Sequence, residues 1–338
     1  MGKIIKTFLN RDLRWSYLPL SASISPSAEK GSIRMIGIVH DPRLFARHDD
    51  PTHPENARRL VGWSPPPGLQ HLPARAATDA ELLTVHTAAH IRRLQEVCSA
   101  GGGPLDPDTY SGPESESVVR CGVGGLLDLS VAVWAGKLDA GLAVIRPPGH
   151  HALPEQTMGF CLYNGIAVAA RAVRAAGAGP VAILDFDVHH GNGTQDVFYD
   201  DGSVFFASSH QFPHWPGTGR ADEKGSGAGV GTNLNVPLDP GSGDVPFTAA
   251  WRENIIPAAR AFAPEMILVS AGFDAHAADL LADLEVSTAG LGEVVGLILD
   301  LAAEVAGGRV VFVLEGGYDP GALRQGLDGL TRQLIARY

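Results

Sequence analysis

Cysteine is scarce in this sequence. Cys98, Cys121 and Cys161 are the only three, and none has C-x-x-C spacing, which argues against a disulfide framework or a cysteine-built structural zinc cluster and fits a reducing cytoplasm. Runs of Lys or Arg are also missing, and 26 basic residues stand against 37 acidic ones for a net charge of −11. That field disfavours non-specific binding to nucleic acid or to an anionic membrane. No stretch reaches the roughly 18 uninterrupted apolar residues that a membrane helix needs, so a soluble chain is expected. The first 34 residues mix basic, aromatic and Ser/Pro residues without a continuous apolar core, and no secretory signal is expected there. Met35 directly precedes a strand-like run, IGIVH. Residues 1–34 are therefore expected to be a loose arm or an overlong start, and 35–338 a single domain with no linker or solenoid repeat.

What is present is core material. With 45% hydrophobic residues over 338 positions, short apolar runs alternate with longer Ala/Leu/Val-rich segments, the pattern of parallel strands joined by helices in an α/β fold. Strands are expected at 36–39, 141–145, 181–186, 204–208, 266–270 and 310–314. Helices are expected at 79–98, 115–135, 163–176, 247–262, 287–306 and 320–336.

The informative regularity lies at the strand ends. GLAVI runs into RPPGHH, VAILDF into DVHHGNG, MILVS into AGFDAH and VVFVL into EGGY. Ligands of parallel sheets bind beyond the carboxyl ends of the strands, so these polar clusters are expected on one rim. Asp185, Asp187 and His189 alternate and would face one side of an extended segment. A carboxylate and an imidazole two residues apart, with Asp274 as a third ligand, would leave a tetrahedral zinc ion one open position for water. Zinc acidifies water and polarises a carbonyl, which suits amide hydrolysis. His150 and His151 could then supply proton transfer near neutrality, and the Tyr318 hydroxyl could stabilise the developing oxyanion.

The ordered set HPEN, RPPGHH, GFCLYN, LDFDVHHGNGTQ, SSHQFPHWPGTG, LNVPL, SAGFDAH and LEGGY, spread over 36–323, resembles the histone deacetylase superfamily, class II-like and bacterial members and acetylpolyamine amidohydrolases included. The resemblance implies a single arginase/deacetylase-like domain around a central eight-stranded parallel sheet flanked by helices. It implies one Zn²⁺ held by Asp187, His189 and Asp274, with His151 as general base and acid, His150 as its electrostatic partner, Asp185 orienting His150, Asn192 paired with His151, and Tyr318 polarising the carbonyl. It further implies a substrate tunnel at Gly159, Phe160 and Trp215, a rim carboxylate at Asp108, and a structural K⁺ site at Asp185, Asp187, His189 and Ser208. The expected substrate is an acetylated lysine peptide or protein, with acetylated polyamine as the alternative and a catalytically weak acyl-group sensor behind both; a homo-oligomer is compatible with this reading.

The departures are local. Asn192 stands where one branch of the family has an aspartate, and a neutral partner raises the pKa of His151 less than a carboxylate does. The segment after FDAH, AADLLADL, lacks the usual proline. Leu281 falls where polyamine-selective relatives carry a glutamate, favouring acyl-lysine, whereas the net charge favours a polyamine. His276 is expected to be structural rather than a ligand to a second metal. Arg59 reads equally as lining an inner channel or as a salt-bridged core residue.

Overall fold

The computed structural model describes residues 34–338, so the expected arm over 1–34 lies, but for Arg34, outside the described residues. Arg34 Nη1 donates to Arg337 O, and the Met35 amide donates to Asp139, which anchors the start of the domain.

Among the described residues ten strands follow in chain order: β1 (Ile36–Val39), β2 (Gln70–His71), β3 (Gly103–Pro104), β4 (Tyr110–Ser111), β5 (Ala140–Ala143), β6 (Val181–Asp185), β7 (Val204–Gln211), β8 (Asn233–Leu238), β9 (Met266–Ala271) and β10 (Val310–Leu314). β3 and β4 form a small antiparallel pair. The other eight make one sheet, ordered β2-β1-β5-β10-β9-β6-β7-β8, with every pairing parallel. The four strands that carry RPPGHH, EGGY, AGFD and DFDVHH are β5, β10, β9 and β6, and they are consecutive neighbours at the centre of the sheet. One rim therefore does collect all four clusters.

Central strands are apolar on both faces because helices cover both. Val310, Phe312 and Leu314 of β10 join one core cluster, while Val311 and Val313 join the other, as the two-residue side-chain period requires. The helix Ser115–Trp134 packs against β1, β5, β10 and the helix Gly165–Ala175. By length and composition it is apolar enough to cross a membrane, but most of its residues are buried inside the domain, and Gly125 lets it approach Val39.

Three sequence expectations need correction. The helix expected over 79–98 is two, Asp79–Leu82 and Ala88–Ser99, because Thr78 with Glu81 and then Thr87 each cap a separate start. The helix expected over 247–262 begins at Asp244 and passes through a π-helical stretch, Ala250–Ile255; Pro257 has no N–H to continue the α ladder. The sequence predicts neither β2, two exposed residues long, nor β8 as a strand. In β8, NLNVPL, two of six residues are asparagine and one is Pro237, which a strand tolerates at a sheet edge.

Candidate active site

The loop after β6 turns Asp187 and His189 toward Asp274 on the loop after β9. One ligand atom each from Asp187, His189 and Asp274 lies within 4.8 Å of the others. His189 Nδ1 sits 3.2 Å from both Asp187 Oδ1 and Asp274 Oδ2. The free oxygens are braced by main chain: Val188 N–H donates to Asp274 Oδ1 at 2.9 Å, and Gly316 N–H to Asp187 Oδ2 at 2.8 Å. A Cβ at Gly316 would overlap Asp274 Oδ2, and one at Gly272 would overlap Asp187 Oδ2. Both glycines are required by the approach of backbone to ligands.

Two buried carboxylates and one imidazole match the donor set of a four-coordinate zinc ion, and the electrostatics agree. Burial disfavours charge on His189, yet Asp187 and Asp274 overcome it and push the imidazole up to about 10. The cluster draws positive charge to the point where the three side chains converge. His276 is not among these ligands. Its Nε2 meets Thr288 Oγ1 at 3.1 Å and its Nδ1 accepts from Ala278 N–H, as expected of a structural histidine.

The loop after β5 presents the two histidines. His150 Nδ1 donates to Asp185 Oδ2 at 2.9 Å; burial opposes its charge, but Asp185, Asp187 and Glu315 raise it to about 10. His151 Nδ1 meets Asn192 Oδ1 at 2.8 Å, and burial, then His150 and His189, hold it well below 6.5. Charge is thus favoured on one imidazole and disfavoured on its neighbour, a split that suits proton transfer. Tyr318 is kept a phenol, since burial raises it well above 10.

A cavity of about 200 Å³ leads to these groups, lined by Asp108, His151, Gly159, Phe160, His189, His214, Trp215, Leu281 and Tyr318. Every expected tunnel residue is there. Phe160 holds a left-handed backbone, φ 68°, with its N–H tied to Thr109 Oγ1 at 3.0 Å. Trp215 stands edge-on to His151, ring centroids 4.7 Å apart. Asp108 is raised by burial and by neighbouring Asp106. Ser208 is the register partner of Asp185, and its hydroxyl meets His210 Nδ1 at 2.9 Å.

Several further contacts support these groups. His214 stacks on His189 with centroids 5.2 Å apart and meets Leu281 O through Nε2 at 3.1 Å. Asp279 Oδ2 accepts the Tyr318 N–H at 2.6 Å. Arg59 is a salt-bridged core residue: it pairs with Glu55 at 3.0 Å, donates to Glu315 O and Gly317 O, and lies 4.7 Å from the Tyr318 ring centroid. Glu55 also holds Arg146. Glu55 lies in HPEN and Asp279 in AADLL, and only tertiary contact assigns them partners.

Comparison with known proteins matches residues 53–334 to the histone deacetylase domain. The chain is 42% identical over 277 residues to histone deacetylase 14, chloroplastic, of Arabidopsis thaliana, covering 77% of this chain and 64% of that protein. It is 42% identical over 273 residues to the histone deacetylase-like amidohydrolase of Pseudomonas aeruginosa, covering 78% and 71%. The crystal structure of the HDA15 HD domain superposes with a TM-score of 0.84 at 35% identity, over 90% of this chain and 88% of that one.

Proposed function

The chain belongs to the histone deacetylase family, and from that premise we propose that it is a zinc-dependent amidohydrolase that removes acetyl or other acyl groups from the side-chain amine of lysine. The observation that carries this reading is the convergence of Asp187, His189 and Asp274 beside a neutral, Asn192-paired His151 and a protonated Tyr318. Asp187, His189 and Asp274 would hold a zinc ion, which would supply Lewis acidity for the amide hydrolysis.

The chain's own groups do the rest. Asn192 Oδ1 can only accept, so the His151 proton sits on Nδ1 and Nε2 is free to take a proton from water and return it to the leaving amine. Cationic His150, held by Asp185, keeps His151 from gaining a second proton in the resting site. Tyr318 donates its hydroxyl hydrogen to the carbonyl oxygen as charge develops there. Phe160 and Trp215 enclose an aliphatic chain and limit water around it. A structural potassium ion beside Asp185 and Ser208, and a cytoplasmic setting without a nucleic-acid or membrane partner, complete the reading.

Acetylpolyamine is the second reading, favoured by Asp108 in the cavity wall and by the net charge of −11; Leu281 in the wall favours the uncharged lysine stem. Turnover of the zinc-loaded protein on an acetyl-lysine peptide and an N-acetylated polyamine side by side separates them. Peptide turnover lost in both Tyr318→Phe and His151→Ala supports the lysine reading, and polyamine-only turnover replaces it.

A further inference from the structure

Asn192 is held from both ends. Its Oδ1 faces His151, and its Nδ2 donates to the thioether sulfur of Met158 at 3.2 Å. A side-chain amide is nearly symmetric in shape but not in chemistry, with an acceptor at one end and donors at the other. The end that faces His151 decides its tautomer. Oxygen demands a hydrogen on Nδ1 and leaves Nε2 free to accept, whereas NH₂ would take the Nδ1 lone pair and move the hydrogen to Nε2. A thioether has no hydrogen to give. The sulfur can accept from the nitrogen and offers the oxygen nothing, so the contact favours nitrogen at Met158 and leaves the oxygen for His151.

We propose that Met158 is a positioning residue, which fixes the Asn192 amide and, through it, the proton-accepting tautomer of His151. The sulfur is well placed for this, because its backbone is pinned: Cys161 N–H donates to Met158 O at 3.0 Å, and the left-handed pair Gly159–Phe160 follows at once. Among the described residues, Met158 Sδ is the acceptor that Asn192 Nδ2 meets. The inference rests on the reading of His151 as the base, and its test has a readout that needs no turnover.

Met158→Leu keeps the bulk and removes the acceptor. In zinc-loaded protein with ¹⁵N-labelled histidine, NMR should find the wild-type His151 ring as the Nδ1–H tautomer and the variant as a mixture with Nε2–H. On the acetyl-lysine peptide kcat should fall about three- to tenfold at unchanged KM, the worth of one ordinary hydrogen bond. In an Asn192→Ala background the same substitution should change nothing, because its effect passes through that amide. An unaltered tautomer, or an equal loss in both backgrounds, overturns the proposal. Wild-type protein that cleaves no acetyl amide would overturn the deacetylase reading instead, with the tautomer still reporting on Met158.

Discussion

Glu315 Oε2 accepts the backbone N–H of Gly149 at 2.6 Å and so ties the loop after β10 to the loop after β5. The same oxygen takes the His150 N–H at 3.2 Å, and Oε1 accepts from Ser270 Oγ. The rigidity of RPPGHH thus comes from a buried carboxylate as well as from its prolines. Glu315→Ala should destabilise the fold by about 1–3 kcal/mol, since it strands buried donors, and should lower kcat at least tenfold; Glu315→Gln, which keeps an acceptor oxygen, should do less of both. Urea unfolding beside steady-state kinetics measures this.

Gly316→Ala should cost metal rather than fold. The added methyl overlaps Asp274 Oδ2 and crowds Asp187 Oδ2, so the ligands must separate. Zinc content after dialysis should fall well below one per chain while the circular dichroism spectrum is retained. A full complement of tightly held zinc would contradict the assigned ligands.

Tyr318→Phe should lower kcat by about 10²–10³ with little change in KM, the range seen when one oxyanion donor is removed. The ring packing under Arg59 survives the change, so thermal stability should hold. Equal loss in kcat/KM through KM alone would place the hydroxyl in binding and not in transition-state stabilisation.

Acid should weaken the fold through His86. Its Nε2 accepts the Asn164 N–H at 2.8 Å and its Nδ1 donates to Leu153 O at 3.1 Å, so the ring is neutral in place. Burial first, then neighbouring His90, push it from 6.5 down to about 3. Above 6.5 the folded and unfolded chains both hold it neutral. As pH falls from 6.5 toward 3 the unfolded chain gains a proton that the folded one refuses, and stability drops by up to about 1.4 kcal/mol per pH unit. Melting curves between pH 6.5 and about 5 should therefore fall less steeply for His86→Gln than for the wild type, although the variant starts lower.

The legible parts of this molecule were those where one residue type has one use. Apolar runs such as VVFVL and MILVS read as covered strands because they are short, rich in β-branched residues and bounded by turn signals, and the D-x-H and H-H clusters stood out at their ends. β8 was hidden, since an edge strand keeps polar residues and a proline. The break after Leu82 was hidden too, because a threonine cap competes with a helical pattern that runs on beyond it. Glu315, Asp279 and Met158 carried no local mark of their roles. Each acts by meeting a backbone or side-chain group more than thirty positions away, and only the order of strands brings those groups together.

The central claim is that Asp187, His189 and Asp274 hold a divalent ion that amide hydrolysis requires. Acetate release from an acetyl-lysine peptide, measured before chelation, after it and after zinc is returned, tests it most directly. The account predicts loss on chelation and recovery with about one zinc per chain. Undiminished acetate release from metal-free protein would contradict it.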